Sequence, residues 1–190
     1  MSVRLRRLAQ ADGPRVLAWR NSPEVAAHMY SDHVIGEQEH ALWLQAALTR
    51  PDRAYWIIEL DGAPVGLANL VRIELEANRA DLAIYLADPA VRGRGVGAAA
   101  EYLVLGHAFE TRGLDKLWVE VLARNVPGWR LHESFGFTRE ALFRDHVRKG
   151  GVFQEVVGLG LLRREWPKAK ALAEGRLARS WALPSLFLEA

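Results

Sequence analysis

Val91-Arg92-Gly93-Arg94-Gly95-Val96-Gly97-Ala98 is the stretch whose reading decides the fold. It lies between an apolar run, Ala80 to Ala87, and a long helical pattern, Ala98 to Thr111. The local order is strand, glycine-rich turn, helix. Gly93, Gly95 and Gly97 open backbone conformations closed to residues with a Cβ, and they let a ligand approach the main chain. The first N–H groups of the following helix lack intrahelical partners, and the helix dipole adds partial positive charge there. Such an end receives anions, phosphate above all. Arg92 and Arg94 add full charges. A Walker loop is excluded, because Ala98 and Ala99 stand where a Lys and a Ser or Thr are required. The even glycine spacing also departs from Gly-x-Gly-x-x-Gly. What remains is Arg92-x-x-Gly95-x-Gly97, set against the plainer reading of a glycine-rich turn.

The chain has 190 residues, enough for one domain with a substantial core. Half of the residues are hydrophobic, a quarter are charged, and the net charge is +2. No Lys/Arg cluster interleaved with aromatics suggests a nucleic-acid surface. There is no cysteine, so disulfides, cysteine-based zinc sites and a cysteinyl acyl-enzyme are excluded. Direct acyl transfer in a ternary complex is then the expected route for any acyl group. No full metal-ligand set is visible, and no metal is expected. The first residues lack the apolar core of a signal peptide, and no run approaches a membrane span, so a cytoplasmic location is expected.

Along the chain, Val3 to Leu8 reads as a half-buried edge strand, and Asp12-Gly13-Pro14 starts a helix. Ser22-Pro23-Glu24 begins a short helix ending near Tyr30, with Ser22 as its cap. Gly36 opens another helix, with Ala41, Leu42, Leu44, Ala47 and Leu48 on its apolar side. Ala54 to Leu60 and Val65 to Ile73 form a hairpin across Asp61-Gly62. Arg79 to Leu86 is the fourth strand. Lys116 to Ala123 is the fifth, and Asn125 to Phe135 holds a short helix. Phe137 to Arg148 and Val152 to Leu162 form a hairpin across Gly150-Gly151. Residues 1–165 form the domain, and residues 166–190 a helical tail. Leu172, Leu177 and Trp181 would share the tail's apolar flank. That tail would dock on its own domain or form a homodimer contact.

The loop resembles the pyrophosphate loop of the GCN5-related N-acetyltransferase (GNAT) family. Asn125-x-x-Gly128-x-x-Leu131-His132-Glu133-x-x-Gly136-Phe137 resembles that family's second motif, Asn-x-x-Ala-x-x-Leu-Tyr-x-x-x-Gly-Phe. The two motifs occur in the family's order, and the resemblance covers roughly residues 3–165. It implies an α/β (α+β) fold. A central mixed, mostly antiparallel seven-stranded sheet would carry helices on both faces, with the fourth and fifth strands splayed. It also implies acetyl-coenzyme A as co-substrate. Backbone around Tyr85, Leu86 and Ala87 would pair with the pantetheine amides, as an added strand does. The stretch Arg92, Gly93, Arg94, Gly95, Val96, Gly97 and Ala98 would hold the pyrophosphate. Asn125 would contact the cofactor arm, cap a helix, or do both.

His132 stands where the family usually has Tyr, whose hydroxyl is generally proposed to protonate the leaving thiolate. A thiol of pKa near 8.5 needs no strong acid, so an imidazole could supply that proton. The alternative is that His132 only packs. Glu120 interrupts the apolar run Leu117 to Leu122 and is the candidate base, unless it is an outward-facing strand acid.

For the acceptor, Trp19-Arg20-Asn21-Ser22-Pro23-Glu24-Val25 followed by His28-Met29-Tyr30 resembles the nucleotide-sugar N-acetyltransferases of pseudaminic acid biosynthesis, which serve flagellin glycosylation. That resemblance implies transfer to the 4-amino group of UDP-4-amino-4,6-dideoxy-N-acetyl-β-L-altrosamine. Met29 and Tyr30 would face the sugar, and Arg20 or His28 the UDP phosphates. Gly136-Phe137-Thr138-Arg139-Glu140 and Arg144-Asp145-His146 resemble instead the ribosomal-protein alanine N-acetyltransferases. A non-catalytic acyl-coenzyme A sensor is the third reading.

Overall fold

The computed structural model describes residues 1–189. Eight strands form one sheet: β1 (Val3–Arg7), β2 (Ala54–Leu60), β3 (Ala63–Glu74), β4 (Arg79–Leu86), β5 (Lys116–Leu122), β6 (Thr138–Lys149), β7 (Val152–Leu162) and β8 (Leu186–Leu188). Their order across the sheet is β6-β7-β5-β4-β3-β2-β1-β8. Only β4–β5 and β1–β8 are parallel. The helices are α1 (Gly13–Asn21), α2 (Pro23–Ala26), α3 (Glu37–Thr49), α4 (Val96–Gly106), α5 (Val126–Ser134) and α6 (Trp166–Leu177). This is the expected α+β architecture, with one strand more than the sequence suggests.

Both faces of the sheet are covered, which is why β2 is buried at every position. On one face, α4 and α6 pack Val96, Val104, Leu105, Ala169 and Ala173 against Trp56, Leu70 and Leu117. On the other, α1 and α3 bring Val16, Leu44 and Ala47 onto Tyr55, Ile57 and Leu67. The buried face of α3 is His40, Leu44 and Ala47, whereas Leu42 is 65% exposed. The pattern misleads because His40 is buried by a specific bond: its Nε2 lies 2.7 Å from the Gly13 carbonyl oxygen. Ser22 is the N-cap residue of α2, as expected, but its hydroxyl makes no capping bond and instead donates to the Trp19 carbonyl at 2.8 Å.

The tail belongs to the same core. Trp166, Leu177 and Trp181 are buried in it, and each such side chain contributes roughly 2 kcal/mol of burial. Leu172 faces outward instead. The chain then returns as β8 beside β1, so β1 is not an edge strand.

The sheet opens at one place. β4 and β5 are paired only from Arg79↔Lys116 to Asp81↔Trp118. Beyond Asp81, β4 stays with β3 as far as Leu86, and β5 stays with β7 as far as Leu122. The wedge between them leaves main chain facing open space. Gly66 on β3 permits the shape of its upper wall. A Cβ there would fall 2.2 Å from the Tyr85 carbonyl oxygen, so only glycine admits β4 in that position.

Candidate active site

The wedge continues into a cleft of about 760 Å³. Its walls are β4 from Asp81 to Leu86, β5 from Val119 to Val121, and the start of α5. The loop before α4 and the segment from Glu24 to Tyr30 complete the lining.

At the loop end, Gly93 (φ +76°) and Gly95 (φ +80°) both hold left-handed backbone. A residue with a Cβ would be strained there. The first helical bond of α4 runs from the Ala99 N–H to the Gly95 carbonyl at 3.0 Å. The amides of Val96, Gly97 and Ala98 precede it and project from the helix end. Gly97 is different: its backbone is ordinary, and a Cβ would meet only Leu131 and Leu86 at 3.6 and 3.8 Å. These features fit a diphosphate carried on an extended amide arm.

Two arginines fasten a strap across the cleft. Arg92 Nη2 donates to the Glu24 carbonyl at 3.4 Å, and Arg124 Nη2 to the Ala27 carbonyl at 2.7 Å. The strap is held from outside by Lys149. Its Nζ donates to the carbonyls of Ala26, Met29 and Ser31 at 3.0, 2.8 and 3.0 Å. The Lys149 side chain is only 10% exposed. His28 lines the cleft within this cationic group. Burial first, and then Arg92, Arg124 and Lys149, hold its imidazole below the usual histidine range.

The carboxyl groups of Glu120 and Asp81 also line the cleft. The Tyr30 hydroxyl donates to Glu120 Oε2 at 2.9 Å, and Trp118 Nε1 donates to Glu120 Oε1 at 3.0 Å. Burial, and then the bond to Glu120, push the Tyr30 phenol above its ordinary range. Asp81 lines the same cleft and pairs with Arg72. Desolvation nonetheless pushes its carboxyl up, and the nearby Glu120 charge adds to that. On α5, His132 lines the cleft with a side chain 9% exposed. Its Nδ1 lies 2.8 Å from Oε1 of Glu101, a fully buried acid on α4.

The structure thus gathers Glu120, His132, Asn125, Tyr85, Leu86, Arg92, Gly93, Gly95, Val96, Gly97, Ala98, His28, Met29 and Tyr30 around one cavity. Tyr85 contributes main chain there, while its ring packs on the α1–α3 side. Asn125 caps α5, its Oδ1 accepting from the Gly128 N–H at 3.2 Å. Three expected residues lie elsewhere. Arg94 reaches the Met1 sulfur, the Ala87 N–H is taken by the Val65 carbonyl at 2.8 Å, and Arg20 donates to the Ser31 hydroxyl. Sequence reading missed Asp81, Glu101, Arg124 and Lys149. Only Arg124, next to Asn125 in the second motif, carried a usable positional signal.

Residues 2–138 match the family model described as acetyltransferase (GNAT) domain. The chain belongs to the GNAT acetyltransferase family. Among individual proteins, it is 29% identical over 102 residues to the Bacillus subtilis "probable N-acetyltransferase YjcK". That match covers 54% of this chain and 56% of YjcK, so it spans little more than half of that relative. It is 22% identical over 165 residues to the spermidine N(1)-acetyltransferase of Escherichia coli K12, covering 87% and 88% of the two chains. The Vibrio cholerae spermidine N-acetyltransferase, solved with CoA and spermine, superposes with a TM-score of 0.81 at 18% identity, over 87% of this chain and 98% of that one. This likeness supports the fold. Among the described residues, no helix is long and apolar enough to cross a membrane.

Proposed function

We propose that this protein transfers the acetyl group of acetyl-coenzyme A to a small primary amine. One observation carries the reading: free amides at a helix start and an acid–phenol pair share a single wedge-shaped cleft. The diphosphate would sit on the Val96, Gly97 and Ala98 amides, with Arg92 adjacent. The pantetheine arm would lie in the wedge along Tyr85 and Leu86, with Asn125 beside it. Glu120 would take a proton from the acceptor ammonium, either directly or through water. The neutral nitrogen then attacks the thioester carbonyl, forming the C–N bond. A β4 backbone N–H near Leu86 would stabilise the oxyanion. The adduct nitrogen loses its remaining extra proton to solvent, Glu120 passes its own to bulk water, and the C–S bond breaks as His132 would give a proton to the thiolate. Solvent restores that proton to His132, so the products are an amide and coenzyme A thiol.

The acidic residues of the cleft favour an acceptor that arrives as a cation. Glu120 supplies negative charge there, and Asp81 is another carboxyl group lining the cleft, paired with Arg72. A polyamine or a chain-terminal amine fits this chemistry. The UDP-4-amino-sugar reading is the second choice. It is favoured by His28, Met29 and Tyr30 lining the cleft together with Arg92 and Arg124, which could meet phosphates. The withdrawal of Arg20 weighs against it. The functional unit is proposed to include α6 and Trp181, which pack behind the loop at Gly95.

A thiol-release assay with spermidine, an alanine-starting peptide and the 4-amino UDP-sugar separates these acceptors. Turnover is expected with the cationic amines. Turnover confined to the sugar nucleotide would install the second reading. Tight acetyl-coenzyme A binding without turnover on a broad amine panel would leave a sensor.

A further inference from the structure

We propose that Glu101 is a positioning residue that fixes the His132 imidazole with its hydrogen on Nδ1 and its Nε2 facing the cleft. The inference rests on the reading of His132 as proton donor given above. Glu101 lies on α4, the helix whose first turn forms the loop end of the cleft, and it is fully buried. Its Oε1 is 2.8 Å from His132 Nδ1, and its Oε2 has no hydrogen-bond partner among the described residues. Among the described residues, no Lys or Arg is paired with it. A carboxylate buried beside a lone imidazole is costly for stability, and an apolar residue would pack there more cheaply. The arrangement is explained if the carboxylate serves the ring.

The consequence for the ring is specific. In the proposed arrangement Glu101 is the carboxylate and only accepts, so Nδ1 carries hydrogen and donates to it. Phe137 packs edge-on against the imidazole with centroids 5.4 Å apart, which restricts rotation. Nε2 makes no hydrogen bond to a described residue and belongs to a side chain lining the cleft. Nε2 is then the single atom that changes protonation: it takes a second hydrogen from solvent to make the imidazolium, and gives that hydrogen to the thiolate, leaving the neutral Nδ1–H ring. Nδ1–H stays on Glu101 throughout, and no second proton moves. A tyrosine hydroxyl needs no such partner, because it has one titrating atom. A histidine has two, and Glu101 selects between them.

The test combines spectroscopy with a double-mutant cycle. Imidazole 15N and 13C shifts of His132 are expected to report Nδ1–H in the unaltered protein and a mixture of tautomers in Glu101→Leu. Glu101→Leu should lower kcat about 10- to 100-fold while KM for acetyl-coenzyme A stays within about twofold. Adding it to His132→Ala should lower kcat no further, since Glu101 acts only through the ring. The isosteric Glu101→Gln keeps the comparison available should the leucine variant not fold, and it should give intermediate kcat and a mixed tautomer. A bare Nδ1 in the unaltered protein overturns the proposal, as do losses that multiply in the double variant. If His132→Ala retains full turnover, the acid role itself is lost. If His132→Ala loses turnover while the Glu101 variants keep both kcat and the Nδ1–H signal, only the positioning role is lost.

Discussion

The Tyr30 hydroxyl donates to Glu120 Oε2 at 2.9 Å, joining residues ninety positions apart in sequence. Tyr30 follows α2 in the strap, and Glu120 lies on β5. The bond therefore ties the strap to β5, one of the two strand edges that the wedge leaves free. It also fills one lone-pair direction of the carboxylate, and Trp118 fills one on the other oxygen.

Replacing Tyr30 by Phe removes that donor and keeps the ring. Loss of a hydrogen bond to a charged group is worth about 2 kcal/mol, so kcat/KM for the amine should fall about 10- to 30-fold. Affinity for coenzyme A, measured by calorimetry, should stay within about twofold, because the phosphate end is not touched. An equal fall in both quantities would mean that Tyr30 shapes the whole cleft.

Lys149→Met tests the outer clamp. The long apolar stem is kept, and three carbonyls at Ala26, Met29 and Ser31 lose their ammonium donor. Stability should fall by about 2 kcal/mol. Faster amide hydrogen exchange should be confined to residues 26–31, with a raised KM for the amine. Unaltered exchange there would show that the arginine straps suffice.

Gly95→Val tests the loop. Left-handed backbone at a β-branched residue costs roughly 1–3 kcal/mol. The new Cβ would also fall 3.1 Å from Trp181 Nε1. Coenzyme A binding should weaken at least about tenfold, an effect of about 1.4 kcal/mol. Full retention of binding in a folded variant would remove the diphosphate from this loop.

His107 makes stability depend on pH. Burial first, and then Arg112 and Arg7, lower its pKa to about 4 from an ordinary 6.5. Its ring stacks edge-on against Trp56 with centroids 5.3 Å apart. Between these values the unfolded chain binds the proton and the folded chain does not. Stability therefore rises with pH across that window and is lost as pH falls from 6.5 toward 4. The contribution is on the order of 2 kcal/mol. Urea unfolding at pH 7 and pH 5 should show a smaller difference in His107→Leu than in the parent chain.

The fold was legible where local pattern and tertiary role agree. Arg79–Leu86 and Ala54–Leu60 read as strands because apolar, β-branched and aromatic residues cluster there, and both have the expected bounds. The loop was legible because Gly93 and Gly95 answer a backbone requirement that composition exposes. Elements set by distant partners were hidden. Glu101 is a lone acid on an apolar helix, and only α5 packed across it gives the carboxylate a purpose. Gly66 resembles any strand glycine until the Tyr85 carbonyl is seen against it. β8 is three residues after a proline, too short to announce a strand without β1 to receive it. Arg20 sits in the string that suggested a phosphate contact, yet it turns to Ser31. A one-dimensional string does not say which way an arginine points.

The closing of β1 by so short a strand has a further consequence. At that end of the sheet, the exposed row of unpaired amides and carbonyls is only three residues long. At the other end β6 is twelve residues long, but its register slips between Arg139 and Ala141 and again between Phe143 and Val147. Neither rim offers the long, flat template on which neighbouring molecules stack into fibrils. Deleting the segment after Trp181 would uncover the regular rim of β1, and self-association in light scattering is where that loss should first appear.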